Sequence, residues 1–94
     1  MVTMFVKHKV NDYGNWKSVY DSIESVRKQG GVTGASVSRD AHDPSTLIVT
    51  HEFADLNAAT AFANSAELKA AMGKAGVAGA PEFWFGEQIE HTAY

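Results

Sequence analysis

Residues Met1–Trp16, MVTMFVKHKVNDYGNW, constrain the fold more than any other stretch, because they pass from a strand period straight into a helix start. Met4, Val6, His8 and Val10 alternate with Thr3, Phe5, Lys7 and Lys9, the two-residue period of a β-strand. Asn11 and Asp12 then offer side-chain oxygens to cap a helix whose first buried rings are Tyr13 or Trp16. One face of the strand carries a titratable ring, His8, among apolar neighbours. This strand is expected to floor any chemical site.

Beyond it, Trp16, Val19, Tyr20, Ile23 and Val26 recur at helical spacing, with Lys17, Ser18, Asp21, Ser22, Glu24 and Lys28 opposite. One helix is predicted, stopping at Gly30-Gly31, where a left-handed end is cheap. Val32–Asp40 reads as a strand, His42-Asp43-Pro44-Ser45 as a turn, and Leu47–Phe53 (LIVTHEF) as a strongly β-branched strand completing a hairpin. Asp55 caps a second helix that buries Leu56, Ala59, Phe62 and Ala63. Asn64, with Glu67 three residues on, predicts the cap of a separate short helix from Ala66 to about Lys74. Gly73, Gly76 and Gly79 suggest a loop that Pro81 ends, with Gly76–Gly79 loosening a pocket mouth. A last strand spans Glu82–Glu90, with Phe83, Phe85 and Ile89 on one face and Trp84 on the other. The order β-α-β-β-α-β is the split βαβ of α+β ferredoxin-like domains, a four-stranded antiparallel sheet with its first strand central and both helices on one face. One domain, residues 1–94, accounts for the chain.

The strands are nonetheless apolar at both parities: Phe5 beside Val6, Ile48 beside Val49, Trp84 beside Phe85. A sheet half open to water shows cleaner alternation, and an exposed apolar face is adhesive. A domain this small also buries only about two-thirds of its unfolded surface. A homodimer is therefore expected, packed sheet to sheet about a two-fold axis. With 45% hydrophobic and 20% charged residues the composition is that of a soluble globular chain. A net charge of −3 without a Lys/Arg cluster argues against a nucleic-acid partner. The absence of cysteine removes disulfides and thiolate chemistry. No stretch reads as a signal peptide or membrane span, so the expected location is cytoplasmic.

The run V-x-D-Y-x-x-W (Val10, Asp12, Tyr13, Trp16), the His51-Glu52-Phe53 strand end, and A-F-A-x-S-x-E-L-K-x-A-M-x-x-A-G-V (Ala61–Val77) resemble dimeric α/β-barrel proteins. These include the antibiotic-biosynthesis-monooxygenase-like group and small stress-responsive barrels. The resemblance covers nearly the whole chain and implies two ferredoxin-like protomers pairing into a barrel, with a small molecule between helices and sheet. It also implies a functional range: cofactor-free oxygenases, polyketide cyclases, isomerases, haem-binding enzymes and proteins without known activity.

None of the four histidines, His8, His42, His51 and His91, has metal-motif spacing, so no metal site is expected. His42 and His91 read as solvated. His8 is the candidate general base, the side chain suited to that role near neutral pH. The alternative is a packing histidine bonded to a helix carbonyl or to Tyr20. His8 and His51 fall near opposite strand ends, too far apart to act as one unit. Val6, Trp16, Tyr20, His51, Phe62, Met72, Phe83 and Phe85 are read as lining an apolar pocket for a flat hydrophobic ligand, although the same spacing suits plain core. Glu87, Gln88 and Arg39 are polar strand residues able to reach either a pocket or an interface. The leading reading is a cofactor-independent enzyme (monooxygenase-, cyclase- or isomerase-like) acting on a hydrophobic or aromatic small molecule. The alternatives are a binding or stress-associated barrel without turnover, and a haem binder using His8 or His51.

Overall fold

A computed structural model describes all 94 residues. The chain forms strand β1 (Val2–Val10), helices α1 (Tyr13–Ser22) and α2 (Glu24–Gln29), strands β2 (Gly34–Arg39) and β3 (Thr46–Phe53), helices α3 (Leu56–Ala63) and α4 (Ala66–Lys74), and strand β4 (Val77–Glu87). The sheet order is β2-β3-β1-β4 with every neighbouring pair antiparallel. The expected ferredoxin-like α+β topology is what the chain adopts, with β1 in the interior of the sheet.

Alternation along β1 settles which face is covered. Val2, Met4, Val6, His8 and Val10 are buried, as are Leu47, Val49, His51 and Phe53 on β3. Trp16, Ala59, Phe62 and Leu68 come down from the helices onto this face to complete the core. The opposite face carries no helix, and Phe5 and Trp84 stand exposed on it, directly paired across β1 and β4.

Three caps start the helices: Asp12 accepts from the Asn15 amide, Asp55 from the Ala58 amide, and Ser65 from the Leu68 amide. The third corrects the sequence reading. Asn64 instead closes α3, its side-chain amide donating to the Thr60 carbonyl at 3.1 Å, so the cap of α4 is Ser65, one residue later, while the helix itself runs from Ala66 to Lys74 as expected. Leu56, expected in the core, is 53% exposed. It occupies the first position of α3, and only Ala59 and Phe62 of that helix are buried.

The single helix predicted up to Gly30 is broken at Ile23 (φ −105°, ψ 23°). The cause is local competition for carbonyls. Ser22 Oγ donates back to the Val19 carbonyl at 2.7 Å, and an Arg27 guanidinium N–H takes the Tyr20 carbonyl. The chain turns out of α2 at Gly31, whose φ of +94° favours glycine. Its neighbour Gly30 lies so close to Phe62 that an added Cβ would fall 2.5 Å from that ring.

The last strand also departs from expectation. The segment read as a loop up to Pro81 is part of β4, which begins at Val77 opposite Val10. Its register slips between Lys7, facing Glu82, and Lys9, facing Ala78, so Gly79–Pro81 bulge out opposite His8. Proline is tolerated there because β4 is an edge strand and the bulge leaves its nitrogen outside the ladder. The strand ends at Glu87 rather than Glu90, because Glu87 faces Val2, the first residue of β1, and no partner backbone lies beyond.

Candidate functional site

Between the helices and the covered sheet face lies a narrow cavity of about 40 Å³. Fourteen residues line it and eleven are hydrophobic, leaving three polar side chains: His8, His51 and Arg27. Val6 and Val49 form the floor, Trp16, Tyr20 and Ile23 one wall, and Leu68 and Met72 of α4 another. One end is tied shut where Asn15 donates to the Lys74 carbonyl at 3.1 Å and the Asn11 amide donates to the Gly76 carbonyl at 3.0 Å. A space this small holds a few waters at most, so an organic ligand requires the partly exposed Val19, Tyr20, Ile23 and Met72 to part.

An aromatic row runs along the cavity. His8 lies 6.0 Å from Trp16, Trp16 stacks on Tyr20 at 4.8 Å, Tyr20 lies 6.4 Å from His51, and His51 lies 5.6 Å from Phe62 (ring centroids). His8 and His51 are only 6% and 5% exposed. Neither nitrogen of His8 has a hydrogen-bond partner, and neither does Nδ1 of His51. The packing alternative for His8, a bond to a helix carbonyl or to Tyr20, is therefore absent. Buried polar atoms are rarely left unpaired, and unpaired ones concentrate where function requires them.

Burial lowers the pKa of both rings, since a low-dielectric site disfavours the charged form. His51 falls to about 4, through burial first and the nearby Arg27 cation second. Both imidazoles are thus neutral at pH 7 and able to accept a proton.

Acid stability follows from this. The unfolded His51 takes up a proton near its ordinary 6.5, whereas the folded ring resists protonation until about 4. The unfolded state therefore binds more protons between those values, and stability falls as pH drops through that window. The expected loss from His51 is about 3 kcal/mol. Urea titrations at pH 7 and pH 4.5 should show most of it, and His51→Phe should flatten the dependence. Asp43 acts in a separate, lower window. Hydrogen bonds from Ser45 and Thr46 hold its carboxyl at about 2, so its contribution is lost only as pH falls below the ordinary 3.8.

Val6, Trp16, Tyr20, His51, Phe62 and Met72 all line the cavity, together with His8. Phe83 and Phe85 do not, which corrects the pocket reading. Both lie on edge strand β4, opposite Val6 and Met4, one strand outward from the floor that β1 and β3 form. Phe83 borders a separate depression beside α4, and Phe85, which shares the covered side with its partner Met4, is 41% exposed at the sheet edge. His8 and His51 pair with Leu47 and Met4 respectively, which keeps them four residues apart along β1. They do not touch, yet they face one cavity. Glu87, Gln88 and Arg39 lie outside it, the Arg39 guanidinium sitting 5.1 Å from the Tyr13 ring, and His42 and His91 are exposed. No three His, Asp or Glu side chains converge as a metal site would require. No helix is long and apolar enough to cross a membrane.

Arg27 was not singled out by the sequence reading. The signal was there: it stands four residues after Ile23 and seven after Tyr20, on the buried stripe. A stripe counted only by hydrophobicity passes over a cation.

A one-sided antiparallel βαββαβ sheet with an apolar, histidine-bearing cavity under its helices defines an α+β ferredoxin-like fold. The family model described as antibiotic biosynthesis monooxygenase matches residues 17–74, and the chain belongs to that family. Among solved structures, a Bordetella bronchiseptica protein assigned to the antibiotic biosynthesis monooxygenases superposes with a TM-score of 0.81 at 10% identity, over 95% of this chain and 97% of that one. A Caulobacter crescentus CB15 protein of the same assignment gives 0.75 at 18% identity, over 95% and 90%. A variant of SnoaB, a cofactor-independent oxygenase from Streptomyces nogalater, gives 0.75 at 12% identity, over 96% and 94%. At these identities the likeness is one of fold. No curated protein matches the chain in sequence.

Proposed function

We propose that the chain is a cofactor-independent enzyme, of monooxygenase, cyclase or isomerase type, acting on a hydrophobic or aromatic small molecule in the helix–sheet cavity. The observation that supports this best is the pair of buried neutral imidazoles, with both His8 nitrogens and His51 Nδ1 unpartnered, in a space whose only other polar side chain is Arg27. Family membership and the fold shared with SnoaB add weight to the oxygenase form. His8 is the base. It removes a proton from an acidic C–H or O–H of the substrate, and the apolar walls keep water from the resulting anion. In the oxygenase form the anion gives up an electron to dioxygen, and the radical pair recombines as a peroxide anion that takes the proton back from His8. Loss of water then leaves one oxygen on the product as a carbonyl, with the substrate supplying all the electrons.

The test is dioxygen uptake with electron-rich phenols such as dihydroxynaphthalenes and anthrones, above their uncatalysed autoxidation and without added flavin or metal. Protein-dependent uptake with an oxygenated product supports the oxygenase form. Binding without any change to the compound leaves only a carrier.

The open sheet face is proposed as the homodimer contact. Phe5, Ile48 and Trp84 line an apolar depression on it, with Trp84 49% exposed. Light scattering at micromolar concentration should give the mass of two protomers. Trp84→Lys should weaken association by about 2 kcal/mol or more, the scale of a buried aromatic anchor, without altering the circular dichroism of the fold. A wild-type monomer would refute the dimer.

A further inference from the structure

We infer that the ligand of this cavity is an aromatic acid whose carboxylate is held by Arg27. This rests on the reading of the cavity as a small-molecule site and names the chemical class it takes.

The structure contains three ion pairs, Lys9–Asp43, Lys17–Asp21 and Lys28–Glu24, all between exposed or half-exposed side chains. Arg27 belongs to none of them, yet it is 9% exposed and lines the cavity. Its tip is not sealed off, since none of its nitrogens is both buried and without a partner, but no opposite charge stands beside it, and cations lining an apolar space are normally paired. What Arg27 has instead is one hydrogen bond, to the Tyr20 carbonyl, and the Tyr20 ring beneath its guanidinium carbon at 3.7 Å. Those contacts explain why the side chain is held still and why the helix breaks at Ile23. They do not neutralise it: the carbonyl takes one of five N–H groups and the ring takes none. Tyr20, its pKa raised by burial, stays protonated, and His51, whose pKa Arg27 helps to lower, is kept neutral, so neither supplies a counter-charge.

The arrangement is that of a preset anion anchor. A planar guanidinium offers parallel N–H groups that match the two oxygens of a carboxylate. The Trp16–Tyr20 stack leads away from it toward His8. An acid seated on Arg27 would lay its ring along that stack, between the helix wall and the Val6–Val49 floor. Its far end would then lie toward His8. Anion and base are thereby separated along the cavity, which lets one hold while the other reacts.

The test compares 2-naphthoate with its neutral isostere 2-naphthamide by calorimetric titration at pH 7.5. The naphthoate should bind about 10- to 100-fold more tightly, the range expected when a hydrogen bond to a charged group is gained. Arg27→Gln, which keeps a donor for the Tyr20 carbonyl, should erase the preference while leaving naphthamide binding in place. Arg27→Lys should retain part of it. A second readout needs no variant. Bound carboxylate offsets the Arg27 cation, so the NMR-measured pKa of His51 should rise from about 4 with naphthoate and stay unmoved with naphthamide. Equal affinity for the two compounds, or a preference surviving Arg27→Gln, overturns the anion anchor and leaves the cavity as a neutral-ligand site. Failure of both compounds to bind overturns the cavity reading and this inference together.

Discussion

Replacing His8 by glutamine should leave a folded protein whose turnover is about 10²–10⁴-fold lower, the scale of losing a general base. The fold should survive because neither imidazole nitrogen is bonded to the protein, so the substitution orphans no partner. Glutamine is close in size and useless as a base at neutral pH. The opposite pattern, full activity with a lowered melting temperature, would make His8 a packing residue. His8 also faces the one irregularity of the sheet, the Gly79–Pro81 bulge, which leaves it without a partner on β4. Its pKa, lowered by burial, places the base form at pH 7, and activity should fall only as pH drops below the ordinary 6.5. Initial rates for the unmodified protein and His8→Gln across pH 5–8 check the two statements together.

Phe53→Ala should be the most damaging change to stability, costing about 3–5 kcal/mol. Phe53 is fully buried at the end of β3 and packs on Phe62 with the rings tilted by 50° and their centroids 5.7 Å apart. Phe62 in turn presses on the Gly30 turn, so one ring supports both the α2 exit and the seat of α3. A domain of this size has roughly 5–10 kcal/mol of stability in total, so such a loss removes a large part of it. Urea unfolding followed by circular dichroism gives the value. A cost below about 1 kcal/mol would mean the core rearranges around the gap, and the account of the packing would be wrong.

The covered face of the sheet was legible because Met4, Val6, His8 and Val10 share one parity of β1 with Lys7 and Lys9 at the other, although Phe5 and Ile48 blur the alternation that the burial follows strictly. Most of the cavity followed from that, since Val6, His8 and His51 share the face and Trp16 and Tyr20 share a helix stripe. What the sequence hid were features decided by competition between side chains and backbone. Ser22 and Arg27 capture the carbonyls that would have continued α1, and nothing in the periodicity marks that break. Asn64 and Ser65 are both good caps, and only the fold decides that Ser65 takes the Leu68 amide. The bulge in β4 looked like a loop because glycine and proline signal both. Phe83 and Phe85 read as pocket residues because their aromatic character was visible, while their place at the sheet edge was not. Arg27 is the most instructive omission: a cation on a buried stripe marks a place where a charge is wanted.

The central claim, that the cavity under the helices receives the small molecule, is tested most directly by the two tryptophan indole signals in a ¹H–¹⁵N spectrum titrated with 2-naphthoate. Trp16 lines the cavity and Trp84 stands on the opposite, open face of the sheet. The account predicts that the Trp16 indole and the His8 and His51 rings shift together to saturation while the Trp84 indole stays in place. Saturating shifts at Trp84 with Trp16 unmoved would contradict it.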